Sequence, residues 1–475
     1  MSVIRSINAS ITVERPLDEV FDFFSRPENL GRITPPELAF ELTSDDIRMR
    51  RGLRIDYRIR PILGLPARWQ TLITAYEPPH RFQDTQLRGP YRRWEHTHTF
   101  EAAADGAATV IRDSVSYQLP LGALGDAFHD RLVRTALERI WSYRAWAIRE
   151  IFAPAGQTDE PMAVGVAGGT GFVGGAIAAE LRRRGHTPVV LSHHGEASRG
   201  PLPDDVEVRP ADVRDAASLA QPLRGLDALV IALAFPNSPM ENPRRGNTFM
   251  DVDAGGTEHL VAAAAEAGIR RLVYISGAGA DPDAHEVWFR AKARAEAAVR
   301  ASGIEHTIIR PTWIYGPRDA ALNRFLGFAR ALPLVPMTNA GRQQLAPVFI
   351  GDVATLVTDA LTDPAGANQV FELGGPETLP MREIIHRALR VAGVDRPLLA
   401  GPTALIKAGA LPLSLLPSPP LTPDAVDFIN QPATVDLQPL LDRMPRRLTP
   451  LDEGLASYLG PDAIGPVQFG ESMAA

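Results

Sequence analysis

Along the first 150 residues, apolar positions alternate with polar ones more often than they cluster. INASITVE, residues 7–14, has the period-2 pattern of a strand. RPLDEVFDFFSRPENLGRITPP then sets Val20, Phe21, Phe23 and Phe24 on one stripe between prolines, which predicts two short helices. In RGLRIDYRIR, Leu53, Ile55, Tyr57 and Ile59 face one way, while Arg54, Asp56, Arg58 and Arg60 form a solvated face. The alternation continues through RWQTLITAYEPPHRFQDTQL, RRWEHTHTFEA and DGAATVIRDSVSYQLP. The period then changes: Phe128, Leu132, Leu137, Ile140 and Trp141 recur near helical spacing, predicting one long helix from about Leu124 to Phe152.

APAGQTDEP, residues 153–161, has no periodicity and marks a seam. Beyond it come short continuous apolar runs. MAVGV, PVVLS, VEVRP, ALVIALAF, RLVYIS and HTIIRPTWIYGP predict six buried strands, with helical segments such as TEHLVAAAAEAG between them. Strands and helices alternating at this interval specify a doubly wound parallel sheet. From residue 311 to about 460 a smaller, substrate-facing part is expected, interleaved with late strands such as NQVFELGG. It includes the amphipathic LPMREIIHRALRVAGV and the apolar, proline-broken TALIKAGALPLSLLPSPP, which packs internally, caps an apolar site or touches a membrane surface. The expected organisation is therefore a domain over 1–152, a linker over 153–161, a domain over 162–460 and a loose tail over 461–475.

Composition narrows the function. A formal net charge of -7 argues against a dedicated nucleic-acid binder, and the absence of cysteine excludes disulfides and thiolate chemistry. The opening MSVIRSINASITVERP lacks the apolar core of a signal peptide, and no apolar run reaches the roughly 18 residues of a membrane span. A cytoplasmic location is expected. Composition is silent on oligomeric state.

The strongest chemical signal is GVAGGTGFVGG. Gly168, Gly171 and Gly174 are spaced G-x-x-G-x-x-G between a strand and a helix, where a tight turn must let backbone amides approach a pyrophosphate. At the end of the second strand an acid would select NAD by binding its 2′-hydroxyl. Ser192, His193 and His194 stand there instead, with Arg199 beyond, favouring NADP(H) over NAD(H) unless this is merely a polar loop. Trp94, His96, His98 and Phe100 share one strand face. With no matching carboxylate nearby in sequence, the histidines read as packing residues and no metal site is expected.

FSRPENLGRITPP and GPYRRWEHTHTF, with the order of elements around them, resemble the START-like (SRPBCC) superfamily. That resemblance implies a helix-grip α+β domain around a cavity for a hydrophobic small molecule. GGTGFVG, Asp212-Val213, DVDAGGTEHLV, YISGAG, RPTWIYGP and FIGDVA together resemble the extended and atypical short-chain dehydrogenase/reductases, a Rossmann-type fold. Within these, the likeness is to the branch of the nucleotide-binding accessory subunit of respiratory complex I. It implies that Gly168, Thr170, Gly171, Phe172 and Val173 hold the pyrophosphate, and Asp212 and Val213 the adenine. Ala232 would line the cofactor, Lys292 bind the nicotinamide ribose, and Pro311, Thr312 and Trp313 flank the nicotinamide.

Reductases of this superfamily use a tyrosine four residues before the lysine as acid, with a serine orienting the substrate oxygen. Ser276 and Lys292 match two of these positions, but Trp288 occupies the third, and an indole N–H is no acid near neutral pH. His285 and Tyr315 are the nearest substitutes, without the right spacing. Three functions follow: an NADP(H)-dependent oxidoreductase acting on a hydrophobic molecule, a nucleotide-bound scaffold or redox sensor, and a nucleotide-sugar epimerase or dehydratase.

Overall fold

A computed structural model describes residues 3–62, 65–104, 106–120, 133–235, 241–414, 421–460 and 467–473. The N-terminal unit is an antiparallel sheet over two helices. Its strands are β1 (Val3–Val13), β2 (Glu41–Leu42), β3 (Arg54–Ile62), β4 (Leu65–Glu77), β5 (Arg81–Arg88), β6 (Arg93–Ala102) and β7 (Thr109–Gln118). Helix α1 (Leu17–Phe24) buries the expected stripe of Val20, Phe21, Phe23 and Phe24. Helix α2 (Arg134–Ile151) lays Ala147, Ile148 and Ile151 on the same core, with Phe82, Phe100 and Ile111 from the sheet. The first turns of the predicted long helix, with Phe128 and Leu132, lie outside the described residues.

The larger unit is a parallel sheet in the order β10-β9-β8-β11-β12-β13-β14. These strands are β8 (Ala163–Ala167), β9 (Thr187–Ser192), β10 (Glu207–Pro210), β11 (Ala228–Ile231), β12 (Arg271–Ile275), β13 (Glu305–Pro311) and β14 (Gln369–Leu373). Order reverses beside β8, the switch point at which doubly wound sheets bind ligands at the carboxyl ends of their strands. Helices α3 (Phe172–Arg183) and α7 (Ile350–Thr362) cover one face, through Ile177, Leu181, Val353 and Val357. Helices α4 (Gly256–Glu266) and α5 (Val287–Ala301) cover the other, through Leu260, Ala264, Ala295 and Val299. The strands are continuous apolar runs because both faces are covered.

Helices α6 (Ala320–Ala331) and α8 (Met381–Val391) share a third core with Leu451 and Leu455, while α9 (Thr403–Leu413) and α10 (Pro423–Ile429) pack against each other. Among the described residues, no helix is long and apolar enough to cross a membrane.

The tail departs from expectation. Residues Gln468–Met473 form β15, which pairs antiparallel with β1 from Val3↔Met473 to Asn8↔Gln468. A strand edge left open by β1 supplies unpaired amides and carbonyls, so the chain end gains a full ladder there. The two units also touch directly. Arg32 donates to the carbonyls of Gly200 (3.0 Å) and Leu202 (2.7 Å), and Arg139 to Asn323 (2.9 Å). The linker is fastened too: Arg182 of α3 donates to the Ala153 carbonyl at 2.6 Å.

Candidate nucleotide site and ligand chamber

The glycine turn between β8 and α3 has the shape its spacing requires. Gly168 adopts φ +78°, and a Cβ there would stand 2.5 Å from the Ala232 carbonyl oxygen. A Cβ on Gly174 would overlap the Gly168 carbonyl. The first strand, the fourth strand's exit and the helix start are therefore packed backbone to backbone, and Gly171 caps the helix. The leading amides of α3, at Phe172 and Val173, lack intrahelical acceptors by the geometry of any helix start, which makes them anion donors.

A residue missed at the sequence level completes this turn. Arg318 donates to the Thr170 carbonyl and to the Gly171 carbonyl, each at 3.1 Å. It thereby turns these oxygens toward a guanidinium rather than toward an anion. Burial lowers its pKa, and Glu150 of α2 offsets part of that effect. Arg318 follows RPTWIYGP directly, and that position was its one available signal.

At the positions expected to hold the adenine, Asp212 accepts a bidentate pair from Arg214 (3.0 and 2.8 Å), and Arg214 also reaches Asn247 at 3.1 Å. Val213 packs on Gly256, where a Cβ would meet its Cγ2 at 2.8 Å, and its carbonyl contacts His259 Nδ1 at 2.8 Å. Ser192 is buried, while His193 and His194 are exposed with rings 3.7 Å apart. Arg199 does not serve as expected. Its guanidinium is held by Glu196 and by the carbonyls of Pro203 and Val206, so it is not a free phosphate ligand.

The catalytic positions are brought together but engaged elsewhere. Lys292 Nζ lies 2.8 Å from Asp253 Oδ1 and donates to the carbonyls of Leu233 (3.0 Å) and Ile275 (3.4 Å). Burial works against its charge, but Asp253 lifts its pKa above the usual lysine range. Ser276 is buried, and its hydroxyl donates to Glu296 at 2.6 Å. Glu296 in turn accepts from Arg310 and Arg300, each at 2.7 Å. Trp288 packs against Phe249, Phe289 and Phe428 of α10, with ring centroids 5.4–6.0 Å apart.

His285 is fully exposed, and Tyr315 is buried with burial raising its pKa. Pro311 and Thr312 tie neighbouring strand ends, the Pro311 carbonyl accepting from Ala278 and the Thr312 amide donating to Leu373, each at 2.9 Å. Trp313 is half-buried on the third core.

The N-terminal unit encloses a cavity of about 380 Å³ between the sheet, α1 and α2. Its wall is mostly apolar and aromatic, including Phe24, Ile55, Trp69, Tyr91, Trp94 and Trp141. One patch is polar. The expectation that His96 and His98 lack nearby carboxylates is overturned by strand register, which sets Asp84 opposite His96 and Asp113 opposite His98. His98 Nδ1 is 2.5 Å from Asp113 Oδ1, and Arg144 Nη1 is 3.7 Å from Asp113 Oδ2. Burial pushes both imidazoles down and opposes charge on Asp113, yet His98 and Arg144 hold that carboxyl well below its usual range. Burial raises Asp84 to about 6.

A nucleotide cradle behind an apolar chamber defines a two-domain NAD(P)-binding protein. Residues 168–364 match the NAD(P)H-binding family, and residues 5–145 match the family of polyketide cyclases/dehydrases and lipid transport proteins. The chain belongs to the atypical short-chain dehydrogenase/reductases, with an SRPBCC domain ahead of the dinucleotide-binding one.

It is 32% identical over 243 residues to (4-alkanoyl-5-oxo-2,5-dihydrofuran-3-yl)methyl phosphate reductase of Streptomyces griseus, covering 49% of this chain and 74% of that protein. It is 29% identical over 225 residues to the NADH-ubiquinone oxidoreductase 40 kDa subunit of Neurospora crassa, covering 46% of this chain and 57% of that one. The chain thus spans little more than half the length of that subunit. The UDP-glucose 4-epimerase of Thermus thermophilus, solved with NAD, shares the fold: TM-score 0.50, 20% identity, covering 64% of this chain and 99% of that one.

Proposed function

We propose that the protein is an NADP(H)-dependent oxidoreductase for a hydrophobic small molecule that the N-terminal chamber helps to hold. The glycine cradle carries this reading, because its side-chain-free turn leads straight into the start of α3, where backbone amides can approach a pyrophosphate closely. A bound nicotinamide would supply hydride. The chain's own part is to hold the pyrophosphate on the α3 amides, with Arg318 drawing the loop carbonyls aside. The preference for NADP(H) rests on the absence of an acid at Ser192–His194, where two exposed histidines stand instead.

The missing acid shapes the substrate. With Trp288 in an aromatic cluster and Ser276 bound to Glu296, no described side chain at the reductase positions delivers a proton to a nascent alkoxide. Acceptors whose reduced anion is delocalised, such as quinones and conjugated enones, need no such donor and can take the proton from water. These are the favoured class. That the relatives include a reductase of an oxo-dihydrofuran and a subunit of an NADH-ubiquinone oxidoreductase supports this class.

A second reading, a nucleotide-bound scaffold or sensor, is favoured by the internal engagement of Lys292. One experiment separates the readings. The purified chain is titrated with NADPH and NADH, and turnover is followed on a panel of quinones, enones and simple ketones. NADPH oxidation by quinones or enones but not ketones supports the oxidoreductase. Nucleotide bound but never oxidised supports the scaffold, and failure to bind either nucleotide refutes both. Sugar-nucleotide turnover would mark the epimerase, against which Trp288 stands.

A further inference from the structure

Three chamber side chains offer metal-ligating atoms to one another. Asp84 on β5 is the cross-strand neighbour of His96 on β6, and His98 stands on the same face two residues on. One ligand atom from each lies within 4.8 Å of the other two. An ion bonded to nitrogen and oxygen at roughly 2.0–2.2 Å would need only small side-chain rotations to close that triangle. The three come from adjacent strands of one sheet, so the backbone holding them is rigid.

The surroundings suit a cation. Asp113 Oδ1 stands 2.5 Å from His98 Nδ1 but outside hydrogen-bonding geometry, so both atoms are buried polar groups without a hydrogen-bond partner. His96 Nε2 is buried and makes no hydrogen bond, its nearest carboxylate oxygen on Asp113 being 3.4 Å away. Arg144 lies 3.7 Å from Asp113, and Asp84 lies 3.8 Å from the His96 ring.

We propose that Asp84, His96 and His98 form a divalent-cation site in the chamber wall, with its remaining positions open to the cavity. Two histidines and one carboxylate with open positions suit Zn²⁺, Fe²⁺ or Co²⁺ rather than Ca²⁺ or Mg²⁺. An ion there would meet the oxygen of an apolar guest, such as a carbonyl, enolate or quinone oxygen, in a largely apolar cavity. The site is independent of the nucleotide, so it can fail while the oxidoreductase reading stands.

The test uses the full chain, treated with chelator and titrated with Co²⁺ and Zn²⁺. The Trp94 and Trp141 rings lie 6.4 and 5.9 Å from the His96 ring, so chamber-bound Co²⁺ should quench tryptophan fluorescence as its visible bands appear. The expected result is stoichiometric binding, weakened at least 100-fold by Asp84→Asn and by His98→Gln with NADPH affinity unchanged. The exposed His193–His194 pair is the competing site, and His193→Ala/His194→Ala should leave the chamber ion in place. Near-ultraviolet circular dichroism of the metal-free variants establishes that the chamber still folds, and Asp84→Asn, which preserves shape, decides the matter if His98→Gln does not fold. Absence of stoichiometric binding overturns the proposal, as does binding indifferent to Asp84→Asn or abolished by the double histidine variant. The cluster would then be an internal hydrogen-bonded patch without an ion.

Discussion

Replacing Lys292 by methionine asks whether this lysine is a countercharge of the fold or a ligand to the cofactor. The ammonium stands 2.8 Å from Asp253, which is 2% exposed, and supplies donors to the Leu233 and Ile275 carbonyls. Methionine keeps the stem but strands a buried carboxylate. Breaking a buried pair from one side costs about 3–5 kcal/mol. At ~2–4 °C per kcal/mol for a unit of this size, the melting temperature should fall by about 6–20 °C.

A second substitution supplies the control. Asp253 Oδ2 also accepts the Phe235 amide at 2.9 Å, an interaction that asparagine can retain. Lys292→Met/Asp253→Asn should therefore recover most of the loss, about 2–4 kcal/mol, since a neutral pair leaves no stranded charge. Thermal and urea unfolding of the full chain without nucleotide provide the assay, with NADPH affinity measured in parallel. If the single variant melts with the parent, or the double variant is no more stable than the single, the countercharge account is wrong.

Other outcomes follow from the same geometry. Gly174→Val should weaken NADPH binding by at least about 100-fold in fluorescence titration, because its side chain would displace the Gly168 carbonyl. Arg318→Ala should weaken it by about 5–150-fold, the loss of roughly 1–3 kcal/mol when the Thr170 and Gly171 carbonyls lose their donor. Trp288→Tyr should not create ketone reductase activity, since Ser276 still faces Glu296 and Lys292 still faces Asp253; NADPH consumption with simple ketones should stay at background. Acid stability should depend on Glu296. Burial opposes its ionisation, but Arg310 and Ser276 hold its folded pKa below the unfolded value. The unfolded chain then binds more protons as pH falls, so the stability it contributes above about pH 4.5 is lost on further acidification. Glu296→Gln should flatten the melting temperature between about pH 5 and 3.

Much of the larger unit was legible because its strands are buried on both faces and therefore read as continuous apolar runs, from MAVGV to HTIIRP. The glycine turn was legible because steric demands there admit little else. What escaped the sequence was pairing at a distance. Asp84 and Asp113 reach the histidines through strand register, which alternation alone does not set. Glu296 captures Ser276 from a helix twenty residues on, and Arg199 turns inward to carbonyls because its loop closes tightly on itself. The end strand was missed because GPVQFGESM carries two glycines and little apolar alternation, and its stability comes from the edge it completes.

That end strand has a consequence for synthesis. When the ribosome has produced β7, the first sheet still lacks its outermost member, which lies roughly 350 residues further along the chain. At about 5–20 residues per second, β1 waits on the order of 20–70 s with its outer hydrogen-bonding groups uncovered. During that interval the nascent protein offers a template to any extended segment nearby. Co-translational chaperones, rather than anything in the finished molecule, would have to guard it.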